Sequence, residues 1–365
     1  MTIFKPLASD DRVSTKTLLH EAIPITGTIV SGTYDEANIQ DFAHGMFQSV
    51  YDYPYLSSSA NHIFDITFGT STESSLAVTE QASKKDNVYN QMAQVLAGFD
   101  KNGNIQRFDE DGDLTGGTKL DDVIFLNFSR LLVKDQIDKG TFELELGVDS
   151  VYADAMDDRI KIMDVSASTS YRVNSPAGEY GILYATQSAG TSIMDTSNAH
   201  TASFNGNKYW RAGLIYYQAG VAVITSSVFM DAADGGILSN TAGTVDFDGS
   251  GNSFTDSLIG DQISGSADYL RHRMYNMQFN NTIELNSTVY FCRAKHNEFN
   301  YSSNPTYLNG SEIRVKDQAS DTPISYITSI GLYSADNQLL AVGKFSEPIR
   351  KDNTVELTFR ARLDY

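Results

Sequence analysis

The sequence predicts a mainly β protein of α+β type, with a few helices, antiparallel sandwich-like sheets, extended loops and arms. Three observations carry that prediction. The 365 residues include 20 Tyr and 19 Phe against a single Trp, and pleated sheets favour aromatic side chains. The 27 Gly and only 7 Pro suit many tight turns. Apolar residues recur at a period of two along much of the chain, and almost exclusively so beyond about residue 165.

Residues 1–30 read as an N-terminal arm that either clamps a neighbouring subunit or folds back on its own domain. Residues 31–165 read as an α+β region. Over 35–51, Ile39, Phe42, Ala43, Met46, Phe47 and Val50 recur at three- and four-residue steps, which predicts an amphipathic helix. A second helix is predicted over 84–97, where Val88, Met92, Val95 and Leu96 share a face. Ser83 is placed to cap its start, and Gly98 to end it in a left-handed conformation. Between the two helices, HIFDITFG at 62–69 alternates as a strand does. Residues 123–128 and 141–148 are further strands, and in the latter Phe142, Leu144 and Leu146 oppose Glu143 and Glu145.

Residues 166–365 read as a β-rich region. YGILYAT at 180–186, a polar loop at about 188–203, KYWRAGLIYY, a Gln218-Ala219-Gly220 turn and VAVITSSVF together predict hairpins. Residues 231–270 are dense in Gly, Ser, Asp and Asn and read as a loop-rich surface insertion. The segment 325–365 predicts a hairpin plus a strand. Tyr326 to Tyr333 and Leu339 to Phe345 flank a turn at 335–338, and Glu347-Pro348 interrupts the pattern. Val355, Leu357, Phe359, Ala361 and Leu363 then line one face of the last strand.

Composition excludes several functions. With 46 Asp+Glu against 27 Lys+Arg, the net charge of −19 repels nucleic-acid backbones and anionic membranes. One cysteine, Cys292, makes neither an internal disulfide nor a thiolate zinc cluster. No apolar run approaches the length of a membrane span. MTIFKPLASDDRVS does not read as a secretory signal, so the expected site of synthesis is the cytoplasm.

The search for chemistry finds acidic, glycine-bearing loops and little else. One runs Asp100-Lys101-Asn102-Gly103-Asn104, followed by Asp109-Glu110-Asp111-Gly112-Asp113. The other runs Asp246-Phe247-Asp248-Gly249-Ser250-Gly251, with Asp256 beyond. Alternating Asp and Asn on a tight loop supply the hard oxygens calcium takes. Against a helix–loop–helix site stand Ser257 at the twelfth position of the second loop and Ile105 at the sixth of the first. Ordinary turns use the same residues, so the expectation is no resident cofactor, with calcium as the lesser alternative.

None of His20, His44, His62, His200, His272 and His296 stands in a metal-binding spacing. Cys292 and His296 lie four residues apart in an extended segment, about 13 Å, too far to form a nucleophile and base. There is no G-x-S-x-G elbow, P-loop or G-x-G-x-x-G fingerprint. A non-enzymatic protein is therefore expected. A glycan-binding adhesin is the competing reading, with Tyr209, Trp210, Tyr216 and Tyr217 as a stacking platform. A cell-wall hydrolase would need two carboxylates across a groove, and the sequence marks no such pair.

Several segments carry a resemblance: SANHIFDITFGTS, KKDNVYNQMAQVLAGFDKNGNIQRFDEDGDLTGGTK, HNEFNYSSNPTYLNG and SYITSIGLYSADNQLLAVGKFSEPIRKDNTVELTFRARLDY. Together, roughly over 60–150 and 285–365, the chain resembles virion structural proteins of tailed bacteriophages, especially contractile-tailed phages of marine cyanobacteria. The resemblance implies a building block of the tail apparatus, in the baseplate or its junction with the tube, present in several symmetric copies. Its partners would be copies of itself and other tail and baseplate proteins, and its location the virion.

Overall fold

The computed structural model describes residues 4–25, 36–76, 78–132, 135–190, 193–195, 201–239, 245–252, 254–302, 308–310, 312–313, 318 and 320–364. It is mostly β with large antiparallel sheets, as composition and period predict. Contact density divides the chain into two units. A main unit holds residues 19–283, and a terminal unit holds residues 1–18 with 284–365.

After β1 (Arg12–Ile25), whose first residues belong to the terminal unit, the main unit holds β2 (Ile39–Asp41), β3 (Gln48–Tyr51), β4 (His62–Thr70), helix α1 (Ala82–Leu96) and β5 (Asp122–Asn127). Next come β6 (Gln136–Ile137), β7 (Glu143–Gly147), β8 (Arg159–Met163), β9 (Arg172–Ser175), β10 (Gly178–Ala189), β11 (Thr201–Phe204), β12 (Asn207–Tyr216) and β13 (Val221–Thr225). Helix α2 (Ile263–His272) leads into β14 (Met274–Ala294). The strands pair in the order β14-β7-β8-β10-β12-β13-β5-β4-β3-β2, antiparallel throughout.

The middle of this sheet is buried on both faces, which explains runs such as DVIFLN and VAVIT that lack a polar side. On β5, Val123 and Phe125 join one hydrophobic cluster while Ile124 and Leu126 join the other. On β13, Val221 and Val223 likewise part from Ala222 and Ile224. Val88, Tyr89, Ala93 and Leu96 of α1 cover the first face. Phe247, Phe254, Leu258, Ala267 and Leu270 cover the second. Each fully buried large apolar side chain removes enough surface from water to contribute about 1.5–3 kcal/mol.

The helix predicted over 84–97 is α1, and Gly98 at φ +85° ends it, its amide donating to the Ala93 carbonyl. Its N-cap is Gln81 in a left-handed conformation, rather than Ser83. The predicted strands at 62–69, 123–128 and 141–148 are β4, β5 and β7. The turn at 218–220 joins β12 to β13. The predicted polar loop at 188–203 lies partly outside the described residues, but its last residues begin β11, which pairs with β12.

Two segments differ from their predicted structure throughout. Of the helix predicted over 35–51, the described residues 36–51 form none: a 3-10 turn at Glu36–Asn38 is followed by the hairpin β2–β3, with Ile39 paired to Val50. β4 supplies β3 with a hydrogen-bonding partner along Gln48–Tyr51, and Gly45 turns at φ +61°, so sheet pairing overrides the local period. Nor is 231–270 a surface insertion. Ile237, Leu238, Val245, Phe247, Leu258 and Ile259 are buried, and the segment contains most of α2. Its polar residues make the turns, while its scattered apolar ones help to cover a sheet face.

The terminal unit contains the second part of β14, the short strands β15 (Leu308–Asn309) and β16 (Glu312–Ile313), the ribbon of β17 (Ile324–Tyr333) and β18 (Leu339–Asp352), and β19 (Leu357–Asp364). β19 pairs with β14 from Ser287 to Ala294, and Ser14 Oγ of β1 lies 3.1 Å from Thr288 Oγ1. The predicted hairpin and final strand are present. Pro348 does not end the strand as expected. Ile327 pairs with Ile349 and Ser329 with Lys344, so residues 345–348 bulge opposite a single residue.

Candidate functional site

The acidic loop at 109–113 is held by a short antiparallel ladder. The Leu120 amide donates to the Phe108 carbonyl and the Glu110 amide to the Thr118 carbonyl, both at 3.0 Å. One carboxylate oxygen from each of Asp109, Asp111 and Asp113 lies within 4.8 Å of the others, the only such group among the described residues. The Asp109 side chain is fully buried, at 0% exposure. Its Oδ2 accepts from Lys119 Nζ at 2.5 Å, while its Oδ1 is buried with no hydrogen-bond partner. A Cβ built on Gly117 would stand 3.3 Å from Asp109 Oδ1 and 3.9 Å from Asp111 Oδ2, so both oxygens face the same small space.

The other oxygens of these residues serve the loop itself. Asp111 Oδ1 accepts from the Asp113 amide, and Asp113 Oδ1 from the Thr115 amide. The Thr115 amide holds the Asp113 carboxyl below its ordinary value, whereas burial pushes Asp109 up against the pull of Lys119. Leu114, at φ +63°, occupies the sixth place counted from Asp109, where calcium loops place glycine for a sharp turn. Tyr180 Oη donates to the Gly112 carbonyl at 2.7 Å, tying the loop to β10.

The other acidic loops consume their own oxygens. Asp100 Oδ1 accepts from the Asn102 and Asn104 amides at 2.8 Å. Asp246 Oδ1 accepts from the Gly249 amide, and Asp248 from the Ser250 amide and Asn252 Nδ2. These are Asx turns of the ordinary kind.

A serine, an aspartate and a histidine do meet in the main unit, in an order that does not activate a nucleophile. Ser49 Oγ donates to Asp65 Oδ1 at 2.5 Å, and His62 Nε2 lies 2.6 Å from the same oxygen. The serine is bound to the carboxylate instead of to the imidazole, and it is buried. Cys292 is half-buried, its thiol pushed up by burial, and His296 lies beyond the end of β14 against Glu356. The proposed stacking platform does not exist as a surface: Trp210, Tyr216 and Tyr217 are buried, Tyr217 donating to Asp164 Oδ2 at 3.1 Å.

Sequence reasoning missed Lys85. It is fully buried and donates to the carbonyls of Ile259 and Asp261 at 2.5 and 2.6 Å, which fixes the turn before α2. Burial lowers its pKa to about 8. Its place four residues before Tyr89, on the apolar face of α1, was the available signal.

The terminal unit offers a different kind of surface. Both hydrophobic clusters are built from residues of 19–283 alone. In contrast, Tyr326, Tyr333, Leu339, Leu340 and Val342 of the β17–β18 ribbon are exposed, Leu340 at 67%. A groove of about 660 Å³ opens within this unit between Phe4, Leu7, Ile330, Leu332, Tyr333 and Phe359. Charge is divided just as unevenly. The terminal unit holds 12 Lys+Arg and 12 Asp+Glu and is neutral, whereas the main unit holds 15 and 34 and carries the whole −19.

Comparison with family models, with curated proteins and with solved structures returns no match.

Proposed function

We propose that the chain is a non-enzymatic building block of a tailed-phage virion, placed in the tail baseplate or tail junction, and that its terminal unit makes the subunit contacts. One observation carries the assembly part: among the described residues the terminal unit contributes to neither hydrophobic cluster, and its ribbon leaves Tyr326, Tyr333, Leu339, Leu340 and Val342 exposed. A patch of that kind is characteristic of surfaces that another chain covers. The occupant is another copy of this chain. Neutral terminal units approach one another without like-charge repulsion, while the main units, at −19 each, repel one another. The long strands β18 and β19 also present edges to which a neighbouring strand can add. The virion assignment rests on the sequence resemblance.

Two measurements test this reading. Light scattering of the purified full chain should give a mass above one copy that falls to one copy in Leu340→Lys/Val342→Lys. A wild-type monomer at every concentration would overturn the contact. Immunogold labelling of particles from the source culture should decorate tails. Absence of the chain from purified particles would overturn the virion assignment and leave the contact standing.

A further inference from the structure

We propose that the loop from Asp109 to Gly117 is a calcium site, with Asp109 Oδ1, Asp111 Oδ2 and the Asp113 carboxylate as protein ligands and water completing the shell. The carboxylate cluster alone would not show this, since exposed acidic loops are common. The buried, unpartnered oxygen does. Leaving a carboxylate oxygen dry and unbonded costs free energy that a bound cation recovers. That oxygen also shares the space beside Gly117 with Asp111 Oδ2, and glycine is what keeps the space open.

Charge and size narrow the ion. Three carboxylates with the Lys119 ammonium leave two negative charges, which a divalent cation neutralises. Oxygens within 4.8 Å of one another are near enough to share one ion at calcium's bond length of about 2.3–2.6 Å with at most a small closing movement. Magnesium, at about 2.0–2.1 Å, would have to pull them together and dehydrate. With three carboxylates, one shared with a lysine, affinity belongs with the weak extracellular-type sites, a dissociation constant of about 10⁻⁴–10⁻³ M. Tyr180, bonded to the Gly112 carbonyl, lies close enough to sensitise a lanthanide bound in the loop.

The experiment uses the full chain stripped with chelator, titrated at constant ionic strength with calcium, magnesium and terbium. Calcium should raise the melting temperature, and terbium should luminesce on tyrosine excitation until calcium displaces it. Asp113→Asn, at an exposed position that spares the fold, should weaken calcium at least tenfold, and Asp111→Asn by a similar factor. Lys119→Met should strengthen it several-fold, because the competing ammonium is gone. Asp248→Asn should leave it unchanged. No heat and no thermal shift at about 10 mM calcium, an equal response to magnesium, or unaltered binding in Asp113→Asn and Asp111→Asn would each overturn the site.

Discussion

The main unit and the terminal unit are both antiparallel β, yet they are stabilised in different ways. In the main unit the central strands are covered on both faces, by α1 on one side and by the segment around α2 on the other, and both large apolar clusters among the described residues lie there. In the terminal unit the strands pair well but cover one another poorly. β19 alternates half-buried and exposed residues from end to end, and β18 leaves Leu339, Leu340 and Val342 in water. Backbone pairing alone contributes little net stability, so the two units draw on different amounts of apolar burial. The partition of charge follows the same line: the self-sufficient unit is strongly acidic and the uncovered one is neutral.

That contrast can be broken by cutting or by substitution. The largest effect is expected from separation. A fragment of residues 19–283 should melt cooperatively by circular dichroism, while 284–365 alone should show no cooperative transition. The comparison fails if the second fragment melts cooperatively as a monomer. Next in size is Phe125→Ala, at a position with no solvent exposure, which should cost about 3–5 kcal/mol in chemical denaturation of the full chain. Leu340→Ala in the ribbon should stay within about 0.5 kcal/mol at concentrations where the chain is monomeric.

A smaller effect is expected at the buried charges of the main unit. Lys85→Met leaves the carbonyls of Ile259 and Asp261 without their donor and should cost about 2 kcal/mol. Of similar size is a pH effect. Burial raises Asp164 to about 6 from an ordinary 3.8, despite bonds from Tyr217 and the Gly140 and Phe142 amides. The folded state therefore holds a proton that the unfolded chain releases between about pH 4 and 6. The resulting stabilisation is complete below about pH 4 and is lost as pH rises through 6. Asp164→Asn should flatten that part of the stability profile, changing the difference between pH 4 and 7 by about 2 kcal/mol. An unchanged slope in urea titrations would show that Asp164 is ionised in the fold.

Much of the architecture was legible in the residues because strands announce themselves by period. β4, β5, β7, the β12–β13 turn and the β17–β18 hairpin fall where alternation and glycine place them. Residues 35–51 misled because apolar spacing at three and four fits a helix but does not exclude two short strands, and β4 offers the hydrogen bonds that decide it. Residues 231–270 misled because composition averages over a segment. Phe247, Phe254 and Leu258 are few among its serines and glycines, yet they are the residues that close the core. In the acidic loop the residue types were visible, and so was their resemblance to ordinary turns. What was hidden is which oxygens the turns use up: both Asp100 carboxylate oxygens are bonded within their own loop, while Asp109 Oδ1 is left over.

The sequence by itself determined the β character, the positions of most strands and the chain's overall excess of acid, because these depend on local period and on counting. Only the tertiary structure decided that this acid lies entirely on one unit, that both large apolar cores lie there too, and that one carboxylate oxygen is buried without a partner. Those are facts about which distant residues share a neighbourhood. Burial, pairing and ligand geometry are set by contacts between residues tens to hundreds of positions apart, and no local pattern encodes them.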